Sequence, residues 1–529
     1  MAQKRRHFLL RLADGLSALL LCAVPGLAML ALVHGLLGAS LADYRPRSWD
    51  ELDYWHEIAT FSAVGWQGGH YGLQGGTAPT ARLGGGTFGP HGVWPSVVYG
   101  LPGRIFGWDI ASPPVYNIAA MTAGLAVMVL CMRPGWAFSL KAAALLASYC
   151  YIGLYAPVML LESMVLGLCF AMAGLFHRLM AAYPRRGWSG TAWTLAGVIA
   201  LATLVRYYYG LLFFGLLLFT EDPRTWRQWL GWALKSLGLM ALATAAYQLT
   251  MAPFPYDAFP GSIFGPKLYA AVARGRFDLL WNHLRLNWDN TFYPANMTPY
   301  HVLFLAIITC AVAFPLLTLA QASRAANPAA RRLGLLTAGW HGINIGGGLA
   351  ILFLYYYTMI SDFGTRILTP SLLLSALVML RRVPGRWWAP LVALNLVLAP
   401  AFLRDCRSLL QGHFEDVPSD IAQRETEALW RAHLRYDATA RDPWCNTLQT
   451  VGFFNFDGQL AVPAGLGINE TRQAAGMAPP KAGHVLAKGP EALGAMAAWP
   501  ALAPVVSGPD WTLYRNTAAG CSDPGQDRK

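Results

Sequence analysis

The feature that most constrains this chain is a series of long apolar runs recurring through its first four hundred residues. A nearly uncharged run of about eighteen residues is long enough to cross a lipid bilayer as a helix. Charge content agrees, at 13% Asp, Glu, Lys and Arg against about 25% in soluble domains. The chain therefore reads as an integral membrane protein with a less apolar tail from residue 404. The expected class is mainly α: about eleven transmembrane helices plus a small α+β extramembrane domain.

A net charge of +12 could suggest nucleic acid as a partner. The distribution of charge excludes it. A phosphate-binding surface needs a contiguous basic patch. Here the basic residues form small clusters between apolar runs: KRRHFLLR near the start, residues 133–141, HRLMAAYPRRG from His177, PRTWRQW from Pro223, RAANPAARR from Arg324 and RRVPGR from Arg381. Such clusters mark loops retained on the cytoplasmic side. With all of them inside, helices fit at residues 15–38, 113–132, 138–154, 157–176, 190–205, 208–220, 230–250, 301–320, 333–357, 367–380 and 387–403.

The first run exceeds the 7–15 apolar residues of a secretory signal and reads as a retained helix. Two assignments rest on charge. Breaking the run at RYYYG keeps Arg206 out of the bilayer centre, where an arginine costs about 2.5–3.5 kcal/mol. SDFGTR (361–366) becomes an outer turn carrying Arg366. The N-terminus is then cytoplasmic, and residues 39–112, 251–300 and 404–529 lie outside.

The first outer piece opens with WDELDYWHE (49–57). On a helix Asp50, Asp53, Tyr54 and Glu57 share a face and Glu51 points elsewhere. Carboxylates so close repel unless they bind a cation, pair with a base or stay protonated. The competing reading is a hydrated loop with no role. H-E-x-x-H is absent, so a zinc protease is excluded. The glycines that follow match no phosphate-binding loop. VWPSVVYGLPGRIF (93–106) has the pattern of a helix lying in the membrane interface.

The second outer piece mixes Tyr, Trp and Phe with Lys267, Arg274, Arg276 and Arg285. It suits either an interfacial helix or contacts to sugar and phosphate. In the tail, RETEALWRAHLRYDATARD (424–442) reads as helix, and VGFFNFDGQLAV and VVSGPDWTLYRN as short strands and turns. The tail holds Cys406, Cys445 and Cys521; if it is outside the cytoplasm, two of the three can pair, and Cys445–Cys521 is the pair expected. The membrane-segment cysteines read as small core residues.

DELDYWHEIA (50–59) resembles the first-loop signature of GT-C fold glycosyltransferases, the membrane enzymes that include protein O-mannosyltransferases and the lipid A aminoarabinose transferase. PHGVWPSVVYGLPGRIFGW (90–108) stands where that superfamily carries a basic segment and an interfacial helix, with Pro90-His91-Gly92 in place of Lys-Pro-Pro. Leu161-Glu162-Ser163, Arg206 and Arg366-Ile367-Leu368-Thr369-Pro370 follow in the matching order. The resemblance covers roughly residues 15–403.

It implies transfer of a sugar from a polyprenyl-phosphate donor to a glycan or lipid acceptor at the outer face of a bacterial inner membrane. Asp50 would be the general base, and Glu51 would position the acceptor or a divalent cation. Arg366 and Arg206 would hold the donor phosphate, with Asp53, Glu57, His91, Glu162 and Lys267 as further substrate contacts. Two rivals stand beside this reading: an O-antigen-type polymerase or ligase, and a lipid-linked-sugar flippase.

Overall fold

The computed structural model describes residues 2–46, 49–67, 71–72, 92–184, 187–251, 273–292, 299–350, 364–381, 388–414, 428, 432–452, 462–471, 474, 477 and 479–521. The chain is mainly helical. Helix α1 (Ala2–Leu30) continues through a π-helical turn, Ala31–Leu36. After a 3-10 turn at Leu41–Asp43 come α2 (Trp49–Val64), the short strand β1 (Tyr71–Gly72), α3 (Trp94–Phe106) and α4 (Ser112–Met132). Then follow α5 (Trp136–Ser148), α6 (Cys150–Tyr155), α7 (Leu161–Ala181), α8 (Gly190–Val205), α9 (Leu212–Glu221), α10 (Trp226–Met251) and α11 (Phe277–Phe292). The helical part ends with α12 (Pro299–Ser323), α13 (Pro328–His341), α14 (Gly364–Leu380) and α15 (Ala389–Phe414).

Five described helices are long and apolar enough to cross a membrane, and four shorter apolar ones accompany them. Each of the eleven expected segments contains helix. Two details differ from expectation. The 138–154 segment breaks at the extended Tyr149, giving α5 and α6. The last helix does not stop at residue 403 but runs on to Phe414.

Helix α7 is buried over nearly its whole length and packs against α4, α8 and α14. Its seam with α4 is made of small residues. A Cβ on Gly124 would overlap the carbonyl of Gly167, and one on Gly167 would lie 2.5 Å from the carbonyl oxygen of Ala120. Small residues let helix backbones approach where hydrocarbon solvent gives no hydrophobic drive to pack.

The basic loops meet at one end of the bundle. Arg381 donates to the carbonyl of Met132 at 2.6 Å, and Asp14 accepts the Trp136 amide at 2.7 Å. Asp222 is buried and takes Arg332 at 2.7 Å, Arg224 at 3.1 Å and the Tyr183 hydroxyl at 3.1 Å. Burial pushes its carboxyl up, but the hydrogen bonds from Arg332, Arg224 and Tyr183 outweigh this and hold it below the usual carboxylate range.

The tail is built on β2 (Thr447–Val451), β3 (Gly467–Thr471), β4 (His484–Lys488), α16 (Pro490–Ala497), β5 (Leu502–Ser507) and β6 (Trp511–Asn516). The sheet order is β1-β3-β2-β4-β6-β5, so the segment between α2 and α3 supplies an edge strand. Tyr71 sits opposite Ile468 in parallel register. One face of the sheet buries Leu448, Ile468, Leu486 and Leu513; the other buries Val451, Val485 and Ala487 under Ala492 and Met496 of α16. Cys445 and Cys521 form a disulfide with a Cα–Cα distance of 5.4 Å. The helix expected over 424–442 does not reach its end, because residues 434–442 are irregular. VVSGPDWTLYRN forms the β5–β6 hairpin, as its alternation and Gly-Pro-Asp turn anticipate.

Candidate active site

Helix α2 carries the acid cluster. Every residue from position 51 to 61 is buried, including Glu51, Asp53, His56, Glu57 and Thr60. A helix buried on all sides needs a protein partner on each. Trp55 donates its indole N–H to the Asp109 carbonyl at 2.8 Å, and Trp108 donates to the Trp55 carbonyl at 3.2 Å. Ser96 of α3 donates to Glu57 at 3.4 Å. The tail covers another side. His56 Nε2 lies 2.6 Å from the Leu466 carbonyl, and the Gly465 amide donates to Thr60 Oγ1 at 3.1 Å. Burial lowers the His56 pKa to about 4, so its imidazole is neutral at pH 7.

Glu51 faces the last turn of α15. His413 Nε2 is 2.9 and 3.0 Å from its two carboxylate oxygens, and both side chains are almost wholly enclosed. The Tyr44 ring stacks on the His413 ring at 6.0 Å between centroids and an interplanar angle of 10°. Burial, with the charge of Glu51 beside it, pushes the Tyr44 hydroxyl far up and keeps it protonated. That hydroxyl also accepts the Met159 amide at 2.8 Å.

Residues 156–160, which lead into α7, are thus tied to the linker between α1 and α2. Asn117 holds the same segment, donating to the carbonyls of Ala156 at 3.1 Å and Val158 at 2.7 Å. Tyr99 orients Asn117 with a 2.8 Å bond to its Oδ1. Three residues past Met159, Glu162 enters the first turn of α7, where the helix dipole favours an anion. It pairs with Arg206 Nη2 at 2.5 Å. Arg206 caps the C-terminal end of α8, where the dipole favours a cation. Next along, the Tyr208 hydroxyl donates to the Ile367 carbonyl at 3.2 Å, which places the backbone of Arg366 beside the RYYYG break.

One end of the bundle therefore gathers Glu51, Asp53, Glu57, Glu162 and Arg206. The backbones of Asp50 and Arg366 lie in the first turns of α2 and α14, and their side chains are outside the described atoms. His91 and Lys267 lie outside the described residues. Among the described residues no group of three His, Cys, Asp or Glu side chains is placed to hold a metal ion.

Between α3 and the start of α4 is a cavity of about 920 Å³ lined by Leu41, Val98, Tyr99, Trp108, Asp109 and Tyr116, among others. Its volume is within the range of small-ligand sites.

Tyr44, His413, Asn117 and Tyr208 were not singled out from the sequence. Each works through a partner dozens to hundreds of positions away, so periodicity carries no trace of them. The nearest signal was the YYY run itself, which reads as an interface belt.

No protein-family model matches the chain, and no curated protein matches it. It is similar to two solved structures. One is ArnT from Cupriavidus metallidurans bound to undecaprenyl phosphate, with 13% identity, 96% of this chain and 99% of that chain covered, and a TM-score of 0.41. The other is the same protein in the apo state, with 14% identity, the same shares covered and a TM-score of 0.47.

Proposed function

We propose that this protein is a GT-C-like membrane glycosyltransferase. It moves a sugar from a polyprenyl-phosphate-linked donor to a cell-envelope glycan or lipid at the outer face of a bacterial inner membrane. The observation that carries this reading is the junction of two charged elements at one end of the bundle. The acid-bearing helix α2 is joined through Tyr44 and Met159 to the segment that presents Glu162 and, with it, Arg206.

The chemistry needs both. An acceptor hydroxyl must give up a proton as it attacks the anomeric carbon, and a carboxylate within reach takes it. Asp50, the first acid of the motif, has that role. Attack from the side opposite the leaving phosphate inverts the anomeric centre. The departing lipid phosphate is anionic and is stabilised by planar N–H donors. Arg206 and Arg366 supply them. A guanidinium has five N–H donors, so pairing with Glu162 is compatible with holding a phosphate. Glu51, enclosed with His413, positions the helix that carries Asp50. Asp53 and Glu57 shape the same end of the site.

Sidedness is supported by two features. The disulfide fits an oxidising compartment outside the cytoplasm. The basic loops gather at the opposite end of the helices.

The test is turnover by purified protein in lipid nanodiscs with undecaprenyl-phosphate-linked sugars and a lipid acceptor. Asp50→Asn is expected to lower turnover by about 100-fold or more. Unchanged turnover would remove Asp50 from the mechanism. Movement of labelled donor across a bilayer with no glycosidic product would replace the transferase by a flippase.

A further inference from the structure

Four stretches of chain converge on Glu51. It belongs to α2. His413 comes from the last turn of α15, where the helix passes into the tail. Tyr44 comes from the linker after α1, and its hydroxyl reaches the Met159 amide before α7. The linker is also fixed by its backbone, since the Arg45 amide donates to the His413 carbonyl at 2.9 Å. His413 spans both Glu51 oxygens, and the Tyr44 ring runs parallel to the imidazole.

A buried polar or charged pair adds little stability relative to well-packed apolar side chains. What it does supply is direction. A carboxylate held by a bifurcated imidazole and a phenol has one orientation, and α2 cannot rotate without breaking both contacts. Asp50 precedes Glu51 in the same turn, so its bearing depends on that orientation. At the other end, Met159 lies three residues before Glu162.

We propose that His413 and Tyr44 are positioning residues that make Glu51 a strut between the tail-bearing helix and residues 156–160, holding the first-loop acids and the Glu162–Arg206 pair at one spacing. The proposal deepens the transferase reading and rests on it for its kinetic consequence. It gives the tail a role: the helix that anchors the tail sets the geometry of the acid site. Neither residue touches substrate.

The experiment compares His413→Ala, His413→Gln and Tyr44→Phe in the full-length protein in nanodiscs. Glutamine keeps an N–H donor at similar reach, and phenylalanine keeps the stacked ring without the hydroxyl. Three readouts are taken: turnover of undecaprenyl-phosphate-linked sugar, affinity for undecaprenyl phosphate, and amide hydrogen exchange in the peptide spanning 156–160.

For His413→Ala we expect turnover to fall about 30-fold or more, with donor KM and undecaprenyl phosphate affinity within about twofold of wild type. His413→Gln should stay within about threefold of wild type. Exchange at 156–160 should rise about tenfold or more in His413→Ala and in Tyr44→Phe, and not in His413→Gln. Equal loss of turnover in the Gln and Ala variants overturns the proposal. So does unchanged exchange at 156–160 in Tyr44→Phe.

A variant that fails to fold will also lose protection in α4 and α7, and Tyr44→Phe then decides. If the wild type forms no glycosidic product, the transferase reading fails by itself. The exchange measurement still decides the strut: a local rise upholds it, and no rise removes it.

Discussion

The imidazole of His56, on the acid-bearing helix α2, bonds to the carbonyl of Leu466, 410 positions later in the chain, at 2.6 Å. This contact seats the tail on the acid-bearing helix. It also makes that seat sensitive to acid. In the folded protein the His56 pKa is lowered to about 4 by burial, whereas in the unfolded chain it is about 6.5. Between those values the unfolded state binds a proton that the folded state does not. The stabilisation is complete above about pH 6.5 and is lost as the pH falls towards 4. The melting temperature should therefore drop on acidification across that window. His56→Asn should flatten the slope, measured by thermal unfolding from pH 4 to 8.

Removing one member of the Glu162–Arg206 pair strands a nearly enclosed charge. Arg206→Ala should destabilise the protein by about 3–5 kcal/mol and weaken undecaprenyl phosphate binding. Glu162→Gln keeps a hydrogen-bond acceptor for the guanidinium and should cost less, about 1–2 kcal/mol. Chemical denaturation with parallel lipid-binding measurements separates the two effects. A binding defect in Glu162→Gln larger than that in Arg206→Ala would contradict the assignment of Arg206 to the phosphate.

The α4–α7 seam tolerates no side chain at its closest points. Gly167→Ala should cost about 1–3 kcal/mol, and Gly167→Val more, because the new carbon meets the Ala120 carbonyl rather than a movable side chain. Gly197, whose added carbon would meet nothing within 4 Å, is the control: Gly197→Ala should be neutral or slightly stabilising. Detergent thermal-shift assays measure all three.

The tail bridge is open to direct chemistry. Alkylation under denaturing conditions should label Cys445 and Cys521 only after reduction. Cys445→Ser should lower tail stability by about 2–5 kcal/mol. Limited proteolysis of the tail, with and without reductant, provides the measurement.

Much of this architecture was legible in the sequence for a simple reason. A bilayer imposes length and polarity on each crossing segment, and both are visible residue by residue. The same holds for the break at Arg206, where a charge cannot stay in the apolar interior; the turn expected before Arg366 lies outside the described residues. Of the three tail cysteines, Cys445 and Cys521 form the expected bridge, and Cys406 stays a buried thiol. The acid helix was legible as a helix, but its environment was not. Asp53 and Glu57 flank aromatics as they would on a surface helix, and both are buried because α3, residues 108–109 and the tail pack around α2. His413 was obscured by composition, because the apolar pattern of α15 fades after residue 403 while the helix continues. Strand β1, with two residues, is too short for any pattern to announce.

That strand has a consequence in time. Tyr71 leaves the ribosome about 400 residues ahead of its partner Ile468. At roughly 5–20 residues per second, β1 waits roughly 20–80 s for the strand that pairs with it. Until then the buried acids of α2 lack the cover that Leu466 brings, and for most of that time His413 as well. The acid site is therefore assembled last, when the end of the chain arrives, and a truncated chain that inserts all its membrane helices still lacks a finished site.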